Sequence, residues 1–289
     1  MINMLLEDQL SDVLRKFRYG RKISLKALEL ETTIPAENLR AFESGDLAPD
    51  QSQLNKLGAV LGFDPQIPPI LHFHPELTPN PALPDWIHPV KENYHGMDVW
   101  CYIVHLPLQE GTSEKRRSLL VDTGSVTGIL LDDIRKNNIL LEGILLTHGH
   151  EDHGGGIEKL PPNLPVYLNE ADFSLMRSHM AELPFILPPE DARDLLGAFG
   201  ITRFEITPMP GHTKGSIAYR INDALFVGDG IFCGSAGKPW TPDDFDDELQ
   251  SIKTLLGSYP EEMLILSGHG PFTTVKIEKE ANPFYHSTP

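Results

Sequence analysis

The chain has 289 residues, 40% of them hydrophobic and 22% charged, and a formal net charge of −17. That length is ample for a large core and suits two domains, while the acidity argues against general attraction of the whole molecule to nucleic acid or anionic lipid. Cys101 and Cys233 are the only cysteines, which excludes a disulfide scaffold and points to a reducing, cytoplasmic setting. No apolar run is long enough to span a bilayer, and residues 1–8 lack the basic start and apolar stretch of a signal peptide.

Residues 1–64 read as a small helical domain. Leu6, Leu10, Val13, Leu14 and Phe17 recur at helical spacing. Ser24 suits the N-cap of a second helix, and Pro35 suits the first turn of a third that turns Leu39 and Phe42 inward and stops near Gly45. A fourth helix is expected over 51–61, ending at Gly62. Residues 65–85 are rich in proline, including Pro65, Pro68, Pro69, Pro75, Pro79, Pro81 and Pro84. Proline removes backbone donors and favours extended backbone, so this stretch reads as a semi-rigid linker, with a strand over 67–73 as a weaker alternative.

From residue 86 to 289 the pattern changes to mixed α/β. Strands are expected over 99–104, 118–121, 143–147, 165–168, 203–207, 216–221, 224–227 and 263–266, and helices over 127–136, 170–180, 190–199 and 243–256. The acidic start of the last helix, residues 243–248, suits the helix dipole and reads as a solvated face. Pro184, Pro188 and Pro189, with their flanking helices, could form a lid.

Several of these strands end in a short polar turn. The densest is His148-Gly149-His150-Glu151-Asp152-His153, after the apolar run Ile144-Leu145-Leu146. The others hold Asp122 in Asp122-Thr123-Gly124, His212 in Gly211-His212-Thr213, Asp229 in Gly228-Asp229-Gly230, and His269 in Gly268-His269-Gly270. Imidazole nitrogens and carboxylate oxygens are the ligands of borderline divalent metals, and strand ends are where loops from distant parts of an α/β chain meet. Taken singly, His212 or His269 reads as a structural histidine; with the cluster and Asp229 the metal reading prevails. Glu151 reads as solvated or hydrogen-bonded, Cys233 as a small buried hydrophobe, and Lys214 and Lys238 as exposed lysines near the mouth, with His179 and Tyr167 as weaker site candidates.

This region resembles the metallo-β-lactamase-fold hydrolase superfamily: His148, His150, Asp152 and His153 match its H-x-H-x-D-H motif, and His212, Asp229 and His269 follow in the family order. The resemblance implies an αββα sandwich with the metals at one edge. His148, His150 and His212 would hold one ion and Asp152, His153 and His269 the second, with Asp229 bridging and Asp122 bracing the ligands from behind. Two divalent ions, zinc by first choice and iron or manganese as alternatives, would then acidify a water to a pKa near 7, and Asp152 could take its proton. The words Pro210-Gly211-His212-Thr213-Lys214-Gly215-Ser216 and Gly268-His269-Gly270-Pro271 are closest to the glyoxalase II-like branch, which implies a thioester, lactone or related ester as substrate. That branch's archetype carries a C-terminal helical domain for glutathione, whereas here only residues 270–289 follow His269. An iron-dependent persulfide dioxygenase is a sibling reading, against which His269 argues for a second metal.

Residues 1–64 resemble a lambda-repressor-like helix-turn-helix domain through Ile23-Ser24-Leu25-Lys26-Ala27-Leu28, Ile34-Pro35 and Phe42-Glu43-Ser44-Gly45. In that fold residues 35–43 are the recognition helix, and Asn38 and Arg40 are the candidate DNA contacts. Its basic residues are matched by acids, where a phosphate-binding surface wants a positive excess. The uses implied are therefore DNA binding by a regulator that senses a ligand through its metallo-domain, or docking and homodimerisation.

Overall fold

The computed structural model describes residues 5–74, 77–108, 115–125, 128–176 and 186–288. His179, the end of the 170–180 helix, the start of the 127–136 helix and Pro184 of the expected lid lie outside these residues.

Four helices open the chain: α1 (Leu10–Gly20), α2 (Leu25–Thr32), α3 (Ala36–Ser44) and α4 (Gln51–Leu61). Their ends follow local chemistry. Ser24 Oγ accepts the Ala27 amide at 3.1 Å, and Asp50 and Gln53 make a reciprocal capping box at the start of α4. Gly45 and Gly62 close α3 and α4 with left-handed φ of 80° and 83°, which glycine adopts without a Cβ clash. Pro35 stands one residue ahead of the helix it was expected to begin.

Among the described residues the strands form two sheets. The first runs β1 (Ile87–Tyr94), β2 (Met97–His105), β3 (Arg116–Val121), β4 (Ile139–Leu145), β5 (Val166–Tyr167) and β6 (Ile186–Leu187), antiparallel through β3 and parallel beyond. The second has β7 (Phe204–Pro208), β8 (Ile217–Ile221), β9 (Ala224–Gly228), β10 (Leu264–Ser267) and β11 (Thr273–Thr274) in the order β11-β10-β9-β8-β7. Period-two alternation assigns each strand two apolar faces. Tyr102, Leu119, Val121 and Leu145 meet Ile217, Tyr219, Phe226 and Leu266 between the sheets. Cys101, Ile103, Leu120 and Ile144 face outward under α5 (Ile129–Lys136), and α6 (Ala192–Ala198) adds Ala192 and Leu196 to the inter-sheet core. Leu225, Val227 and Ile265 face outward under α7 (Phe245–Ser258). Two apolar faces per sheet explain why these strands read as continuous hydrophobic runs.

The N-terminal helices join that last layer. Val13, Leu14, Phe17, Leu39, Leu54 and Leu57 belong to one cluster with Phe245, Ile252 and Ile265. Phe17 is its hub, with ring centroids 5.2 Å from Phe63, 5.6 Å from Phe245 and 4.6 Å from Phe284. Arg21 adds an ion pair to Asp246 at 3.3 Å.

Several expectations need correction. Residues 67–73 are not a strand: Pro69–His72 is a single helical turn, and Leu71 is buried against Cys233 and Ala281. Residues 170–175 form a 3-10 turn rather than an α-helix, because the Asp172 side chain is held by bonds to the 149 and 213–215 loops. The 243–248 stretch is not uniformly solvated: Phe245 and Glu248 are buried, and neither Glu248 carboxylate oxygen has a hydrogen-bond partner among the described residues. Burial pushes that carboxyl well above its ordinary value. No helix among the described residues is long and apolar enough to cross a membrane.

Candidate metal centre

β3 runs parallel to β4 and β9 to β10, so within each pair the C-terminal ends lie side by side. Asp122 follows β3, the 148–153 segment follows β4, His212 lies between β7 and β8, Asp229 follows β9 and His269 follows β10. Backbone bonds tie these ends together: Asp122 N–H donates to Leu145 O at 2.9 Å, Gly268 N–H to Gly228 O at 2.8 Å, and Trp100 N–H to Gly268 O at 2.8 Å. The 148–153 segment leaves β4 through Gly149 and becomes a single helical turn, Glu151–Gly154. A Cβ at Gly149 would stand 2.7 Å from the Asp172 carbonyl, so glycine is required for this close approach.

The structure brings all seven candidate ligands together. Three groups have ligand atoms within 4.8 Å of one another: His148 with His150 and His212, His148 with His153 and Asp229, and Asp152 with His153 and His269. His150 Nδ1 lies 3.1 Å from His148 Nε2 and 2.9 Å from His212 Nε2. His153 Nε2 lies 3.1 Å from Asp229 Oδ1, and His269 Nε2 lies 3.3 Å from Asp152 Oδ2 and 3.6 Å from Asp229 Oδ2.

The far side of each ring decides what these atoms are. His153 Nδ1–H donates to Asp122 Oδ2 at 2.8 Å, His212 Nδ1–H to the Lys238 carbonyl at 2.8 Å and His269 Nδ1–H to the Asp98 carbonyl at 2.6 Å. The Thr147 hydroxyl donates to Asp122 Oδ2 at 2.8 Å, which leaves its oxygen to accept from His148 Nδ1 at 3.1 Å. With Nδ1 engaged in this way, each of these rings turns its Nε2 inward. Imidazole nitrogens and carboxylate oxygens about 3 Å apart need a proton or a metal cation between them. Two buried atoms of the centre, His153 Nε2 and Asp229 Oδ1, face each other at 3.1 Å without making a well-directed hydrogen bond among the described residues. The donor set therefore fits divalent metal ions.

Electrostatics points the same way. Burial would raise the Asp229 carboxyl, but the imidazoles of His269, His153 and His212 outweigh it and hold the group well below the usual carboxylate range. The rings divide: burial drives His148 well below its ordinary value and His212 down to about 4, whereas at His153 and His269 the neighbouring carboxylates outweigh burial and hold the first well above its ordinary value and the second at about 9.

Asp122 has a left-handed φ of 55° and spends both oxygens on support, since Oδ1 also accepts the Thr147 amide at 2.8 Å. Glu151 is exposed and accepts from the Tyr94 hydroxyl at 3.2 Å, and Cys233 is buried. The Lys238 ammonium lies over the Tyr19 ring at 4.7 Å, and Tyr167 is buried in the inter-sheet core rather than at the centre. Asn38, half-buried, and Arg40, exposed, lie on α3 away from the centre. On the same helix Glu43 takes a two-pronged bond from Arg18, at 2.5 and 2.7 Å.

Two residues escaped the sequence reading. Asp172 accepts from the Gly149 amide at 3.0 Å, the Thr213 hydroxyl at 2.7 Å and the Gly215 amide at 2.8 Å, so it joins the loops of His148 and His212. Its partners are 23 to 43 residues away, and no local pattern marks it. Trp240, 49% exposed, lies over the His150 ring at 5.5 Å and forms an apolar wall at the mouth.

Comparison with known proteins agrees with this geometry. The model of the Metallo-beta-lactamase superfamily matches residues 97–269. Hydroxyacylglutathione hydrolase GloC of Haemophilus influenzae is 32% identical over 191 residues, spanning 60% of this chain and 90% of that protein. Among solved structures, a di-iron-bound form of TTHA1623 is 29% identical with a TM-score of 0.52, covering 68% of this chain and 99% of that one. The B3 metallo-beta-lactamase BLEG-1 is 25% identical with the same TM-score of 0.52, over 68% of this chain and 98% of that one.

Proposed function

Since the chain belongs to the metallo-β-lactamase superfamily, we propose that it is a dinuclear metallo-hydrolase of thioesters, lactones or related esters. His148, His150 and His212 would hold one ion and Asp152, His153 and His269 the other, with Asp229 as the carboxylate shared between the two sets. Zinc is the first choice of metal, and iron or manganese suits the same nitrogen and oxygen donors. When bound, the ions supply Lewis acidity, which makes water a nucleophile at neutral pH and polarises the carbonyl under attack.

The remaining work falls to the protein. Asp152, whose Oδ2 lies 3.3 Å from His269 Nε2 within the centre, is the carboxylate assigned to take the proton of the attacking water. Asp122 keeps His153 in the tautomer that presents Nε2. Trp240 shields the acyl side of the substrate from water and orients it against His150. The observation that carries this reading is the meeting of seven buried or half-buried ligand side chains, His153 Nε2 and Asp229 Oδ1 facing each other at 3.1 Å among them. The thioester class is supported by the relative named hydroxyacylglutathione hydrolase.

The test is a panel of thioesters, lactones and β-lactams offered to full-length protein reconstituted with zinc, iron or manganese. Turnover of a thioester or lactone above the β-lactams is expected. Hydrolysis confined to β-lactams, or none from a fully loaded protein, contradicts the proposal.

A further inference from the structure

The segment ahead of α1 is fastened to the rim of the metal centre. Lys16 of α1 pairs with Asp8 and donates to the Ala236 carbonyl at 2.6 Å, and the Ser235 hydroxyl also donates to Asp8. Ser235 and Ala236 belong to the loop that leaves Asp229, whose carbonyl accepts the Gly237 amide at 2.9 Å. One residue before Asp8, Glu7 packs on Gly270, next to His269. A Cβ built on Gly270 would lie 3.0 Å from Glu7 Cβ, so glycine at φ +71° makes room for this crossing. None of this segment lies within the matched residues 97–269.

Between the segment and the β1–β2 hairpin is an open cleft of about 640 Å³, the size of a small-molecule site. Its walls include Glu7, Lys91, Asp98, Met97 and Trp100. Lys91 is already engaged, 3.0 Å from Asp98 and 5.1 Å above the Trp100 ring. Glu7 is half-buried and makes no hydrogen bond or ion pair among the described residues. Burial raises its carboxyl above the ordinary value, while His269 pulls it the other way. A partly desolvated carboxylate without a partner rewards a cation and repels an anion.

We infer that this cleft receives the part of the substrate beyond the scissile bond, and that Glu7 selects there for a cationic group, an ammonium or quaternary ammonium. The inference rests on the hydrolase reading for the reaction, but its charge preference can be measured without turnover. It makes the N-terminal helices part of the substrate site: they hold Glu7 in place through Lys16 and Asp8. Lys16 is in this sense a positioning residue.

The experiment uses full-length protein and two thioesters of one shape, acetylthiocholine and its uncharged carbon isostere S-(3,3-dimethylbutyl) thioacetate. Binding is measured first on metal-free protein by calorimetry, then turnover on the metal-loaded form. The expected preference for the cation is about tenfold at low salt. It should fall to about one in Glu7→Gln and reverse in Glu7→Lys toward an anionic thioester. In wild-type protein the same preference should shrink as salt is added, a readout that needs no variant. Equal binding of the two thioesters by wild-type protein, or a preference that survives Glu7→Gln, overturns the inference. Turnover of both thioesters without preference overturns it and leaves the hydrolase reading standing. Preference in binding with no turnover of any ester upholds the cleft and overturns the hydrolase reading.

Discussion

The metal centre and the N-terminal helices share one apolar layer but deploy their polar groups in opposite ways. Around the centre, polar side chains are buried and aimed: Asp122 alone fixes the Thr147 amide, the Thr147 hydroxyl and the His153 ring. In the helices, charged groups mostly neutralise one another, as Arg15 does with Asp12 at the surface and Arg18 with Glu43 in a half-buried pair. Buried and directed polar atoms are costly without a ligand, whereas solvated pairs contribute little either way. The first region therefore declares its chemistry, and the second declares only its packing. Phe17 and Phe245 join the two, so the helices are built onto the catalytic layer rather than hung from it.

The largest expected effect lies in the centre. His150→Ala removes the nitrogen shared by His148 and His212 and should lower turnover by at least about a thousandfold. Metal content should fall with it, while circular dichroism stays that of the folded protein. Full activity in this variant would remove His150 from the ligand set.

Next is the shared layer. Phe17→Ala deletes a ring packed against Phe63, Phe245 and Phe284 and should destabilise by about 3–5 kcal/mol. The comparison sharpens if one cooperative transition is lost by both regions together in chemical denaturation. Early melting of the helices alone, with the metal centre still protected, would separate them.

Asp122→Asn tests the aiming of polar groups. Asparagine cannot accept from Thr147 and His153 with both side-chain atoms, so metal affinity should fall about 10–100-fold in a competitive chelator titration. Unchanged affinity would make Asp122 a turn residue only.

The smallest effect is one of pH. Burial raises the Glu278 carboxyl to about 7, against the hydrogen bonds from Asn282, Thr273 and Gly234. A carboxyl raised on folding binds its proton more tightly in the folded state. Its contribution is complete below the unfolded value near 4.5 and is lost as pH rises through about 7. The melting temperature should decline by a few degrees from pH 5 to 8 on this account, and Glu278→Gln should flatten that slope. An equal slope in both proteins would assign the decline elsewhere.

How much could be read from the sequence follows the distance between partners. The 148–153 cluster is legible because its ligands are neighbours in the chain. His212, Asp229 and His269 become legible only as an ordered set, since each alone is an ordinary polar residue at a strand end. Asp172 and Glu7 were missed because their meaning lies in residues brought near by folding, Gly215 for one and Gly270 for the other. Strand β1 was hidden by Pro89, Lys91 and Glu92. It is an edge strand, and at an edge proline and charge are tolerated on the unpaired side. The helices α1 to α4 were legible from apolar period and caps. Their attachment to α7 was not, because an amphipathic stripe does not name the surface that covers it.

The central claim is that side chains from four strand ends hold a pair of cations. Elemental analysis of full-length protein, saturated with zinc and desalted, tests it directly in the native chain and in Asp229→Asn. Two ions per chain are predicted in the first, with both sites losing occupancy together in the second. A single ion in the native chain, or a variant that still binds two, would contradict the account.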